Sequence, residues 1–189
     1  MNNRTLSTKD RLIRAAANLF RVHGYHGVGL NDLLAEAKAP KGSLYHHFPK
    51  GKPDLARAAA IWASDRMLNL IAESFENATT FEEGVTTLCH KLAKLFDLSG
   101  NWDGCPIAAI LFEGPENEEF RADAQRLYDG WITEGAEQAE RLGETPEVAR
   151  EKSERMFILI QGGWTLARAR RSSDVLRELP LLFEPVKAG

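Results

Sequence analysis

Apolar residues return every three or four positions along nearly the whole chain, and no stretch shows the period of two that marks a strand. Leu12, Ile13, Ala16, Leu19 and Phe20 form the first stripe. Ser7 and Asp10 stand where a capping box would open that helix. Gly24 stands where it must stop, and Tyr25 can fold its ring back over the last turn. A shorter helix is predicted over 30–37, with Leu30, Leu33 and Leu34 inward. Lys38, Ala39 and Pro40 read as a brief turn, because Pro40 cannot continue one helix but can begin the next. A third helix spans 41–48 and is closed by Pro49, Lys50 and Gly51. A long helix follows from Lys52 to about Asn77, with Leu55, Ala59, Trp62, Arg66 and Leu70 along one stripe.

Farther along, Thr80 is positioned to cap a helix over 81–98, and 99–104 reads as a loop. A short apolar helix is expected after Pro106, and Gly114-Pro115 breaks it. A helix over about 117–142 ends at Gly143, and Thr145-Pro146 opens another over 146–170. Ser172, Ser173 and Asp174 open a last helix that Pro180 should disturb. The pattern predicts an all-α fold of about nine helices.

Composition agrees with a folded domain. The chain has 189 residues, 43% of them hydrophobic and 27% charged, with a mean hydropathy of -0.33. A chain of this size buries roughly 70% of its unfolded surface and needs neither disulfides nor metal to fold. The longest apolar run, 105–112, is eight residues with a proline inside, whereas a membrane span needs about 20. The first residues lack the apolar stretch of a signal peptide, so a cytoplasmic location is expected.

Charge changes the picture more. The net charge of -3 conceals a split: residues 1–50 carry eight Lys/Arg against three acids, and the remainder 16 against 24. Four of the five histidines lie in the basic part. A basic head beside an acidic body suits a nucleic-acid contact surface, although chance clustering gives the same numbers.

The basic part has the shape of a helix-turn-helix: two short helices joined by a three-residue turn, after a first basic helix. The third helix is below the roughly 12 residues an isolated helix needs, so Leu44 and Phe48, four apart, should hold it against the first two. That leaves Lys41, Gly42, Ser43, Tyr45 and His46 for the other side. Lys41 can meet phosphate or guanine, Gly42 lets backbone approach DNA closely, and the hydroxyls of Ser43 and Tyr45 can donate to phosphates. Lys50 and Lys52 flank the next helix start, another phosphate-seeking position.

Residues 20–37 (FRVHGYHGVGLNDLLAEA) and 41–48 (KGSLYHHF) resemble the DNA-binding domain of TetR-family transcriptional regulators. The segments APKGSLYHHFP (39–49) and GCPIAA (104–109) are similar to the LmrA/YxaF-like subgroup. The resemblance implies an N-terminal helix-turn-helix domain over 1–50 and a helical ligand-binding and dimerisation domain over 51–189. It implies a homodimeric, ligand-responsive repressor on a palindromic double-stranded DNA operator, released by a small hydrophobic or aromatic effector. By position, Lys41, Gly42, Tyr45 and His46 would contact DNA and Lys52 a phosphate, while His47 would pack or cap. This chain departs from the family at Gly29, often Thr; at Lys38, commonly Gly, which would cost about 1 kcal/mol if left-handed; and at Pro40, usually Ser.

In the helix over 146–170, Met156, Phe157, Ile158, Leu159, Ile160, Trp164, Leu166 and Ala167 give an apolar stretch nearly all round, as in a helix buried on more than one side. Candidate dimer-interface residues are Phe157, Ile160, Gly163, Trp164 and Leu176. Candidate effector-binding residues, scattered along the middle helices, are Trp62, Phe75, His90, Phe96, Trp131 and Gln161; such residues also serve as ordinary core. No metal site or cofactor is expected. Cys89, His90 and Cys105 lack zinc-ligand spacing and read as structural thiols, with a redox sensor as the alternative. Walker, GxGxxG and nucleophile-elbow motifs are missing. A helical enzyme or ligand-binding protein without a DNA role is the competing class, and it predicts no salt-sensitive DNA affinity.

Overall fold

The structure, a computed structural model, describes residues 6–100, 105, 107–112 and 118–183. Its elements are α1 (Thr8–His23), α2 (Leu30–Ala37), α3 (Lys41–His47), α4 (Lys52–Phe75), α5 (Phe81–Leu98), α6 (Glu118–Arg141), α7 (Pro146–Arg170) and α8 (Asp174–Glu178). A π-helical segment, Ala108–Phe112, precedes α6, and a 3-10 turn, Leu179–Leu182, follows α8. No strand occurs among the described residues. The helical periodicity therefore predicts the element order correctly. The loop at 99–104 and the break at Gly114-Pro115 fall partly or wholly outside the described residues.

Local chemistry accounts for the boundaries. Ser7 Oγ accepts from Asp10 N–H at 3.1 Å, Thr80 Oγ1 from Glu83 N–H at 3.2 Å, and Thr145 Oγ1 from Val148 N–H at 3.4 Å. Each satisfies a donor that a helix start leaves open. Gly24 ends α1 with φ 69° and donates to Phe20 O at 2.8 Å. Pro180 turns the end of α8 into the 3-10 turn, since it cannot donate to the helical ladder.

Two compact units emerge: Met1–Asp65 with Cys105–Leu127, and Arg66–Gly104 with Tyr128–Gly189. In the first, α1 packs against α2, α3 and the π-helical segment. Leu12, Ala16, Phe20, Leu33, Leu44 and Leu55 are fully buried in its core. Tyr25 joins its parts: the ring lies 5.5 Å from Phe20 and 6.0 Å from Phe120, and the backbone N–H donates to Ala109 O at 3.2 Å. In the second, α5 and α7 both pack on α8, around Phe75, Phe96, Trp131, Met156 and Leu176.

Lys38, which ends α2, is left-handed with φ 48° and ψ 49°. A β-carbon there costs roughly 1–2 kcal/mol, more than the roughly 0.4–1 kcal/mol of extra chain entropy a glycine would bring. Lys38→Gly should therefore raise stability by about 0.5–1 kcal/mol and lift the thermal midpoint by a degree or more. An unchanged or lower midpoint in a thermal melt would count against strain at this turn.

Candidate nucleic-acid interface

The second and third helices owe their placement to α1. Arg11, on α1, donates from Nε to Ala37 O at 3.0 Å and from Nη2 to Lys38 O at 3.4 Å. These bonds satisfy carbonyls that the end of α2 leaves open. At the start of α2, Gly29 N–H donates to Asp32 Oδ2 at 2.9 Å, so the backbone cap works without a side chain at Gly29. Pro40 enters α3 in an extended conformation, with φ -72° and ψ 151°. Its fixed φ suits that entry.

On α3, Leu44 is 0% exposed and Phe48, just past the helix, is buried with it. Lys41, Gly42, Tyr45 and His46 are exposed and Ser43 is half-buried. A β-carbon at Gly42 would meet nothing within 4 Å, so the backbone there is open to a close approach. Tyr45 is 45% exposed, and its inner edge rests on Gly51, whose missing β-carbon would sit 3.3 Å from Cε1. Gly51 itself has φ +74°, a conformation glycine adopts without strain. His47 is half-buried, with its ring edge-on to those of His46 and Phe48 at 4.9 and 6.3 Å.

The two flanking lysines differ. Lys50 is exposed and pairs with Glu119 at 3.5 Å, while its backbone N–H donates to Asp54 Oδ2 at 2.8 Å. Lys52 turns its ammonium over the Tyr25 ring at 4.2 Å and the Phe20 ring at 5.9 Å. Burial there lowers its pKa and raises that of the Tyr25 phenol. The rings' electron-rich faces help hold the cation. Lys52 thus braces α4 against α1 in this structure.

A polar cluster that sequence reasoning missed lies between α4 and α6 within the same unit. Arg57 donates from Nε to Asp123 and from Nη1 to Glu119 Oε2, the latter at 3.2 Å. Arg126 donates to Asp123 Oδ1 at 3.1 Å. Burial pushes the Asp123 pKa up, but the hydrogen bonds and charges of Arg57 and Arg126 outweigh it and hold the carboxyl below its usual range. The three charged types were visible; their meeting across about 60 residues was not.

The other candidate sets do not converge on one site. Trp62 belongs to the first unit, under the Arg14 guanidinium at 5.7 Å. In the second unit, Phe75 packs on Phe81, Phe96 on Trp164, and Trp131 on Tyr128 and Phe157, all with centroids 5.3–5.6 Å apart. Gln161 is half-buried. His90 is exposed and lines an open groove of about 950 Å³ with Glu73, Thr87, Lys91, Arg177 and Leu181. Of the candidate interface residues, Phe157 and Trp164 are half-buried, whereas Ile160, Gly163 and Leu176 are buried inside their own chain. Gly163 makes room for Leu179, whose Cδ1 would lie 2.8 Å from a β-carbon. Cys89 is buried, which pushes its thiol up to about 12 and keeps it protonated and unreactive at neutral pH. Cys105 is half-buried. Among the described residues, no group of three His, Cys, Asp or Glu could hold a metal ion, and no helix is long and apolar enough to cross a membrane.

Comparison with known proteins agrees with this geometry. Residues 12–59 match the family described as "Bacterial regulatory proteins, tetR family". Residues 82–180 match "Transcriptional regulator LmrA/YxaF-like, C-terminal domain". The HTH-type transcriptional regulator LmrA of Bacillus subtilis (strain 168) is 31% identical over 170 residues, covering 89% of this chain and 90% of its own.

The chain belongs to the TetR family of transcriptional regulators, in the LmrA/YxaF-like group.

The HTH-type regulator Rv0196 of Mycobacterium tuberculosis is likewise 31% identical, over 86% of this chain and 85% of its own. The reduced form of Escherichia coli NemR superposes with a TM-score of 0.80 at 20% identity, covering 94% of this chain and 95% of the other. It shares the fold. The relatives are transcription regulators and not enzymes, so the regulator's chemistry is recognition.

Proposed function

We propose that the regulator is a repressor that binds a palindromic operator as a homodimer and lets go when a small hydrophobic or aromatic effector binds its body. The observation that carries the reading is α3: seven residues with Leu44 fully buried and Lys41, Gly42, Tyr45 and His46 on the open side. A helix too short to stand alone has been given a core contact and a polar outer face. Major-groove readers use such a helix, with side chains near its start reaching base edges. Lys41 and Lys50 would meet phosphates, the Tyr45 hydroxyl a third, and Ser43 a further one through its partly open side. Lys52 would reach phosphate by leaving the Tyr25 ring.

Pairing of two copies is supported by apolar side chains left in the open on α7 and the 3-10 turn. Ile158 and Leu166 on α7 are 64% and 45% exposed, and Leu181 and Leu182 on the 3-10 turn are 65% and 54% exposed. These four residues, with Phe157 and Trp164, form the proposed contact between copies. Twofold pairing matches half-sites about one helical turn apart. The effector reading is supported by the aromatic side chains of the second unit, among them Phe96, Tyr128 and Trp131, and by the half-buried amide of Gln161 on α7.

Selection of binding sites from a random duplex pool at about 50 mM salt should yield a palindrome, with affinity falling steeply as salt rises because phosphate contacts release counterions. Tyr45→Phe should weaken the selected complex about fivefold, the value of roughly 1 kcal/mol for one hydrogen bond. A pool that returns no preferred sequence would refute the proposal. Adding planar aromatic compounds to the complex tests the effector: a true inducer shifts the apparent affinity by about 5- to 150-fold.

A further inference from the structure

The cluster between α4 and α6 reaches outward to Lys50. The Glu119 carboxylate stands 3.2 Å from Arg57 Nη1 and 3.5 Å from Lys50 Nζ. Arg57 does not depend on Glu119 for a partner, because Asp123 also accepts its hydrogen bond. Glu119 and Asp123 are four apart and so share one face of α6. Arg57 grips both and thereby fixes where Glu119 points. The Lys50 and Glu119 side chains are 65% and 59% exposed, and exposed pairs of this kind are weak and exchange partners readily. Lys50 lies three residues past the end of α3, so a phosphate approaching α3 would meet it.

We propose that Glu119 competes with DNA phosphate for Lys50, so that the first turn of α6 sets how strongly the regulator holds a duplex. The proposal rests on the reading above that the α3 side of the molecule faces DNA. While Glu119 keeps its present position, one phosphate-seeking charge is partly neutralised from within the protein. A shift of the α6 start that draws Glu119 away frees Lys50 and strengthens binding. Glu119 acts through Lys50 and touches no nucleic acid, so it is a positioning residue.

The test is a double-mutant cycle on the full chain, read by anisotropy of a labelled mixed-sequence duplex of about 30 base pairs, long enough for two half-sites one turn apart. Glu119→Gln should tighten binding about two- to fivefold at about 50 mM salt and steepen the logarithmic salt dependence by up to about one. Lys50→Ala should weaken binding, and adding Glu119→Gln to it should bring no gain. A loss of folding lowers affinity, so it cannot imitate the expected tightening; Glu119→Ala should repeat the Lys50-dependent gain. Equal tightening in both backgrounds would mean a long-range field and overturn the proposal, as would unchanged or weaker binding by Glu119→Gln alone. If wild type shows no salt-dependent binding, the reading of the DNA-facing side falls first and this proposal with it; if wild type binds but Lys50→Ala binds equally well, Lys50 meets no phosphate and this proposal alone falls.

Discussion

Leu44→Ala should cost the regulator about 2–5 kcal/mol in the stability of its N-terminal helices, the range for emptying a fully buried leucine site. The site has no slack. Leu44 is 0% exposed, and α3 has seven residues, of which it is the one buried. Phe48 N–H donates to Leu44 O at 2.8 Å, so the position anchors backbone as well as side chain. A helix this short has almost no stability of its own; removing its core contact should detach it before the rest of the molecule unfolds. Amide exchange over 41–48 should therefore accelerate more than over α5 or α7. Every side chain proposed to face DNA survives the change, so weakened DNA binding would follow from lost support alone. The weakening grows with the fraction of molecules in which α3 is detached. A stability change below about 1 kcal/mol, with exchange over 41–48 unaltered, would show that α3 is held by something other than its core contact.

Much of this architecture was legible because it is written in neighbouring residues. Ser7, Thr80 and Thr145 cap the helices they precede, and Gly24 and Gly143, both with positive φ, follow the ends of α1 and α6. Helix starts and stops depend on residues three or four apart, and one sequence suffices to see them. The outward set on α3 was legible for the same reason: Leu44 and Phe48 define one side of a single turn. What the sequence concealed depends on residues far apart along it. Nothing near Tyr25 announces that its N–H will meet Ala109, or that residues 105–127 will join the N-terminal helices in one compact unit. Lys52 reads as a phosphate ligand from its place at a helix start, yet its ammonium lies over the Tyr25 and Phe20 rings. The aromatic residues of the body were equally ambiguous. Phe75 and Trp131 carry the same signal in sequence whether they line a cavity or fill one, and here both are buried to within 2%. Ile160, Gly163 and Leu176 were apolar enough for a contact between subunits, but all three are buried within the chain, Gly163 against Leu179 of the 3-10 turn.

Gly84→Ala inverts an ordinary expectation in the same way. Alanine in place of glycine inside a helix usually stabilises by about 0.8–1 kcal/mol, and Gly84 lies within the first turns of α5. Its position alone would recommend the change. A β-carbon there would, however, stand 2.2, 2.3 and 2.7 Å from Cδ1, Cε1 and Cγ of Phe75. The ring cannot step aside as the tip of a lysine would: it is 0% exposed and packs on Phe81 at 5.4 Å. The adjacent Phe75 carbonyl also accepts from Arg141 Nη2 at 2.6 Å, which fixes the backbone at the end of α4. Forcing a methyl group into a packed core typically costs 1–3 kcal/mol, and more where backbone must shift. With three ring atoms closer than any real contact, the upper part of that range applies, and the helix-propensity gain offsets about a third of it. The net expectation is a loss of about 2 kcal/mol, or a fall of several degrees in the thermal midpoint. Phe75→Leu alone should also destabilise, because it leaves a cavity. Combined with Gly84→Ala it should cost less than the sum of the two, since the smaller side chain makes room for the methyl. A melt in which Gly84→Ala raises the midpoint, or in which the two changes add, would show that α5 does not pass so close to the Phe75 ring.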